Sequence, residues 1–179
     1  METDSKLAVV YFPQINSNQI ADFREMYDPG WEIIPPHITI VSPVSDMSEE
    51  RLIEHVASIS KDIESFSIHL TGLTRTSDDN LFLLVKEGNE DIRHLHDTLY
   101  SGLLTQYIPT DFPFIPHITL GYFRTKVNTF DNTLFDKAYA EAQSARFDIT
   151  CAFNALAIIK GNGVNAARII KTISLLRND

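Results

Sequence analysis

Residues 36–40 read Pro-His-Ile-Thr-Ile and residues 116–120 read Pro-His-Ile-Thr-Leu, with the two histidines 80 residues apart. An imidazole titrates near neutral pH, so one ring can take a proton while a second, already protonated, gives one up. A threonine hydroxyl can donate a hydrogen bond to an anionic oxygen. Two His–Thr pairs facing one cleft would cradle a tetrahedral group, with an incoming oxygen on one side and a leaving oxygen on the other. That is the geometry of in-line displacement at phosphorus. The hydroxyls and a histidinium can hold the charge, so this chemistry calls for no metal or other cofactor.

The register of each motif supports this reading. Side chains alternate between the faces of a strand, so His37 and Thr39 share one face while Ile38 and Ile40 share the other. His117 and Thr119 pair likewise, with Ile118 and Leu120 behind them. The apolar face anchors each strand, and the polar face presents an imidazole and a hydroxyl about 7 Å apart. The proline ahead of each motif cannot donate to a sheet ladder and suits the start of a strand or an edge.

The elements that must carry these residues follow from periodicity and turn signals. Strands are expected over 6–12, 37–42, 65–75, 80–86, 117–123, 147–160 and 166–176, and helices over 16–27, 48–61, 89–104 and 133–144. Ser48 is a natural N-cap with acids in the first turn. Gly161-Asn162-Gly163 signals a hairpin between the last two strands. No linker divides the chain into separate domains. The order splits into two similar halves, each with one motif strand. The expected fold is α+β: one bilobal domain over 1–179, two mainly antiparallel sheets backed by helices around a central cleft.

Composition narrows the partners. The 179 residues include 24 acids against 15 bases, a net charge of −9. That weighs against a long nucleic acid, whose binding rests on many Lys and Arg contacts to phosphate, and leaves room for a small phosphorylated ligand. One cysteine and six histidines give no disulfide framework and no thiolate metal cluster. Cys151 reads as a small core residue. There is no signal-peptide pattern and no apolar run of spanning length, so no membrane partner is expected and the expected setting is the cytoplasm. Oligomeric state is not readable.

The remaining candidates are weaker. His55 reads as solvated on a charged helix. His94 and His96 are two apart on a helix and do not share a face. His69 reads as an ordinary strand residue. Tyr11 and Phe12 end the first strand near the expected cleft, where core packing and ligand stacking are both open. Trp31 could cap a pocket or fold onto the core, and Arg124 could be a surface residue or a phosphate ligand.

The doubled His-x-Thr motif, each copy preceded by proline, resembles the two-histidine (2H) phosphoesterase superfamily, which includes 2′-5′ RNA ligase-like proteins and cyclic nucleotide phosphodiesterases. Arg24, Tyr27-Asp28-Pro29 and the stretch from Ile34 to Ile40, with Pro43 after it, look like a bacterial branch of that superfamily. The resemblance implies a duplicated bilobal fold and a metal-free phosphodiester reaction in the cleft. It implies His37 and His117 as the acid–base pair, and Thr39 and Thr119 as donors to phosphate oxygens. The implied substrates are small cyclic phosphates, 2′,3′-cyclic-phosphate or 2′-5′-linked nucleotides, and short RNA ends. One departure stands out. Several members carry a base directly after the glycine of the second motif, whereas Gly121 is followed by Tyr122, Phe123 and then Arg124. By strand parity Gly121 and Phe123 share the His117 face, where Gly121 would leave room for a phosphate and Phe123 could stack on a base. Phe123, Tyr11 and Arg124 are therefore the substrate-binding candidates. The alternatives are a binding module without turnover, 2′-5′ RNA ligase activity, and, most weakly, a metal-dependent hydrolase.

Overall fold

The computed structural model describes residues 5–15, 18–124 and 130–177. Strand β1 (Lys6–Tyr11) is apolar on both faces: Leu7, Val9 and Tyr11 enter the main core, while Ala8 and Val10 face a smaller cluster. A strand buried on both faces belongs inside a sheet. In the first sheet β1 lies between β2 (Ile38–Val44) and β7 (Ala155–Gly161), with β8 (Arg168–Ser174) beyond β7. The second sheet runs in the order β5 (His117–Tyr122), β4 (Asn80–Val85), β3 (Phe66–Arg75), β6 (Asp148–Phe153). All these pairings are antiparallel. The motif strands β2 and β5 are edges of their own sheets and lie against each other. That contact brings the two polar faces together.

Four helices back the sheets. Helices α1 (Gln19–Tyr27) and α4 (Asn132–Ala145) pack behind the second sheet, on β5 and β3. Helices α2 (Glu49–Ser60) and α3 (Asn89–Leu99) pack behind the first, on β8 and β2. Helix α1 follows β1 in sequence yet covers the other sheet, and α3 does the reverse. Each repeat thus lends a helix to its counterpart, and one apolar cluster runs through both. Ser48 caps α2 by accepting the Arg51 N–H at 3.3 Å, as the first-turn pattern predicts. Asp131 does the same for α4 through Leu134.

The structure departs from the sequence reading in four places. The two sheets are not two consecutive halves, because β7 and β8 return to complete the first sheet. The single strand expected over 147–160 breaks at Asn154, where the chain leaves one sheet for the other. The burial pattern changes there from alternation in β6 to a continuous apolar run in β7, but the backbone stays extended, so propensity alone does not mark the break. The helix expected over 89–104 stops at Leu99, and Gly102, at φ +53°, opens a 3₁₀ turn over Gly102–Tyr107. The start expected for the first helix at residue 16 lies outside the described residues.

The fourth departure is a matched irregularity in the motif strands. Val10 pairs with Thr39 and Val9 with Val41, which leaves Ile40 as an extra residue. Phe82 pairs with Thr119 and Leu81 with Gly121, which leaves Leu120 extra. A bulge resets the in–out alternation beyond it. His and Thr keep the cleft face, while Gly121 and Phe123 turn into the core.

Candidate active site

His37 stands directly before β2, and His117 is the first residue of β5. Their surroundings repeat. His37 Nδ1–H donates to the Pro35 carbonyl at 2.9 Å, and His117 Nδ1–H donates to the Ile115 carbonyl. Each acceptor lies two residues back, across Pro36 or Pro116. A residue before proline is held extended, and its carbonyl is free to meet the ring. The proton on Nδ1 leaves Nε2 of each neutral imidazole as the acceptor, on the side away from the backbone.

Both rings are electrostatically poised to be neutral. Burial lowers the His37 pKa from the ordinary 6.5 to about 4; the Pro35 carbonyl and Asp28 oppose this, while charges on Arg24 and His117 add to it. Burial also lowers His117, against the Ile115 carbonyl and Asp78, which favour its charged form. A charge on His117 disfavours a charge on His37, so protonation of both rings together is disfavoured.

Two cavities flank the β2–β5 contact. One, of about 380 Å³, is lined by His37 and Thr39 together with Lys6, Val10, Ile33 and Gly163. The other, of about 510 Å³, is lined by His117 and Thr39 together with Arg75, Asp78, Phe82 and Phe114. Thr39 borders both. Thr119 is half-buried on β5, paired with Phe82. Thr39 thus lies between the cavity of His37 and that of His117, while Thr119 lines neither.

The substrate-binding candidates fare differently. Phe123 is 1% exposed, with its ring among Tyr27 and Phe135, so it does not face the cleft. The bulge at Leu120 is the reason. Gly121 makes room for the core and not for a phosphate: a Cβ there would lie 2.9 Å from the Tyr27 Cβ and 2.8 Å from the Phe123 ring. Tyr11 is also a core residue, with its ring centroid 4.2 Å from that of Phe153 and its hydroxyl donating to the Ala152 carbonyl at 2.6 Å. It borders a different cavity, behind Pro35 and Pro36. Arg124 reaches the site indirectly. Its guanidinium binds buried Asp79, which also holds Arg75, at the turn joining β3 to β4. Residues 76–78 of that turn line the His117 cavity.

His55, His69 and His96 have structural partners where the sequence suggested little. His69 pairs with Asp148 at 2.6 Å, and His55 Nε2–H donates to the Leu99 carbonyl at the end of α3. His96 stacks on Phe114 at 3.8 Å and so supports the cavity wall. His94 is exposed, and Trp31 is 39% exposed on a turn. Arg75, Asp78, Phe82 and Phe114 line the His117 cavity, and no local motif announces them. The hairpin through the 76–79 turn sets Phe82 opposite Thr74, and only the long-range β4–β5 pairing sets it opposite Thr119. Among the described residues no group of three or more His, Cys, Asp or Glu is placed to hold a metal, and no helix is long and apolar enough to cross a membrane.

The profile of the 2′-5′ RNA ligase superfamily matches residues 12–165. A Bacillus licheniformis protein that carries a phosphoesterase name is 30% identical over 120 residues, covering 65% of this chain and 70% of its own. Crystallised E. coli LigT with 3′-AMP superposes with a TM-score of 0.60 at 16% identity, covering 96% of this chain and 98% of LigT. A protein of Thermus thermophilus superposes with a TM-score of 0.62 at 17% identity, covering 97% of this chain and 100% of its own.

Proposed function

This chain belongs to the 2′-5′ RNA ligase superfamily, and from that footing we propose that it is a two-histidine phosphodiesterase. Its substrate would be a small cyclic phosphate, a 2′,3′-cyclic-phosphate or 2′-5′-linked nucleotide, or a short RNA end. The observation that carries this is the repeated Nδ1–H bond to a backbone carbonyl, which leaves two basic Nε2 atoms flanking one β2–β5 contact. The two sheets act as one catalytic unit, since each supplies one histidine.

In hydrolysis, one neutral Nε2 takes the proton from water as its oxygen attacks phosphorus. The opposite ring, protonated, gives its proton to the leaving ribose oxygen as the P–O bond breaks. A bound phosphate anion favours that second proton. Thr39 and Thr119 donate to the non-bridging oxygens. His37, lowered to about 4 and facing the Arg24 charge, suits the base. His117, with Asp78 favouring its charged form, suits the acid. No metal is needed in this scheme. In ligation a 5′-hydroxyl would replace water as the nucleophile, its proton going to one Nε2 while the opposite ring protonates the departing 3′ oxygen of the opened cyclic phosphate, and the net charge of −9 favours small substrates over long RNA. Supporting the ligand class, E. coli LigT has been crystallised with 3′-AMP, ATP and NADP+.

The test is a panel of 2′,3′-cyclic nucleotides with chelator present, followed by phosphorus NMR. A new phosphomonoester signal is expected from the native chain, and none from folded His37→Ala or His117→Ala. Binding without any new signal from the native chain would favour the binding module. Normal turnover by either variant would overturn the two-histidine assignment.

A further inference from the structure

A second repeat lies beneath the histidines, and the spelling of the sequence hides it. Arg24 on α1 donates from Nη1 to the Ile34 carbonyl at 2.8 Å. Arg93 on α3 donates from Nη1 to the Phe114 carbonyl. Each acceptor is three residues before its histidine, one residue upstream of the carbonyl that receives the histidine Nδ1–H. Helices α1 and α3 are equivalent, since each follows the strand that pairs with a motif strand. Arg24 precedes His37 by 13 residues and Arg93 precedes His117 by 24, so no common spacing gives the match away.

The need for such an anchor is physical. The segments 34–36 and 114–116 each end in proline, which has no N–H to donate to a ladder. A carbonyl that must point at an imidazole therefore needs holding from outside, and a guanidinium offers several donors in a rigid fork. On the His37 side the fork is itself fixed. Arg24 is 2% exposed, and its Nε and Nη2 both donate to Asp28 Oδ2, at 2.9 and 2.7 Å. Asp28 Oδ1 accepts the Gly30 N–H at 2.8 Å, which ties down the same loop.

We infer that Arg24 and Arg93 are paired positioning residues, each anchoring the short segment whose carbonyl selects the tautomer and angle of one histidine. The assignment concerns the rings themselves, and only its effect on turnover rests on the function proposed above.

The experiment is long-range proton–nitrogen NMR of histidine rings in the ¹⁵N-labelled chain, with circular dichroism to confirm folding. In the native chain both rings are expected as the Nδ1–H form. Arg93→Met should turn the His117 pattern into a mixture of tautomers and leave His37 unchanged, and Arg93→Lys, which keeps a donor, should restore it. Because Arg24 is buried with Asp28, the matching variant is Arg24→Met with Asp28→Leu, which removes both charges together. It should disturb His37 alone. Where turnover is measurable, kcat should fall about ten- to a hundredfold with KM changed less than about twofold. Unchanged ring patterns in the folded Met variants, or both histidines shifting together, would overturn the inference.

Discussion

Val10 and Phe82 occupy equivalent positions in the two sheets, for Val10 pairs with Thr39 and Phe82 pairs with Thr119. The Phe82 ring stacks on His117 at 3.4 Å with 14° between the planes. Among the described residues no such ring backs His37, where the Phe12 centroid is 6.3 Å away and Val10 helps to line an open cavity. The duplicated motifs therefore sit on unequal floors.

Phe82→Val should make the two sides alike. The His117 ring would lose its aromatic platform, and kcat on a 2′,3′-cyclic nucleotide should fall about tenfold through misplacement of the acid. Val10→Ala should change it less than about twofold. Steady-state kinetics on both variants decide the matter, and equal losses would refute a one-sided role for Phe82.

Thr39→Val and Thr119→Val keep the branched shape and remove the hydroxyl. If the hydroxyls bind developing negative charge, each should lower kcat about a hundredfold with little effect on KM. An unchanged kcat in either variant would show that its hydroxyl makes no contact in the transition state.

His37 also predicts a pH dependence of stability. Its pKa falls from 6.5 unfolded to about 4 folded, so the unfolded chain binds the extra proton between those values. Stability from this group is therefore present above pH 6.5 and is lost as the pH falls toward 4. Thermal unfolding of the native chain and of His37→Asn, compared across that window, should show a shallower decline in the variant. Parallel curves would contradict the burial that lowers the pKa.

Gly121→Ala tests the packing of α1 on β5. The new methyl would press on the Tyr27 Cβ and the Phe123 ring, both closer than 3.0 Å. The expected cost is about 1–3 kcal/mol in urea unfolding. A neutral result would mean that the helix and strand separate easily.

Much of the fold was legible because it rests on local pattern. The motif strands and the α2 cap at Ser48 need only neighbouring residues to declare them, whereas the hairpin signalled at Gly161-Asn162-Gly163 turns through 162–167, with Gly161 still in β7. The candidate site was legible for the same reason, since His37 with Thr39 and His117 with Thr119 are two apart on extended backbone. What misled was parity carried too far. Parity counted past Leu120 puts Phe123 on the His117 face, and the bulge at Leu120 resets that count. The break at Asn154 was hidden because a strand that changes sheets keeps its extended propensity.

The amino-acid sequence by itself determined that two matched His–Thr pairs lie on two strands, because the pleat of a strand is a local property of the backbone. Only the tertiary structure decided that β2 and β5 meet as edges, that Phe123 and Tyr11 belong to the core, and that Arg24 and Arg93 hold equivalent carbonyls. Those facts depend on register, bulges and packing between residues far apart in the chain. Such long-range pairing is chosen by the fit of whole faces, and no short spelling records it.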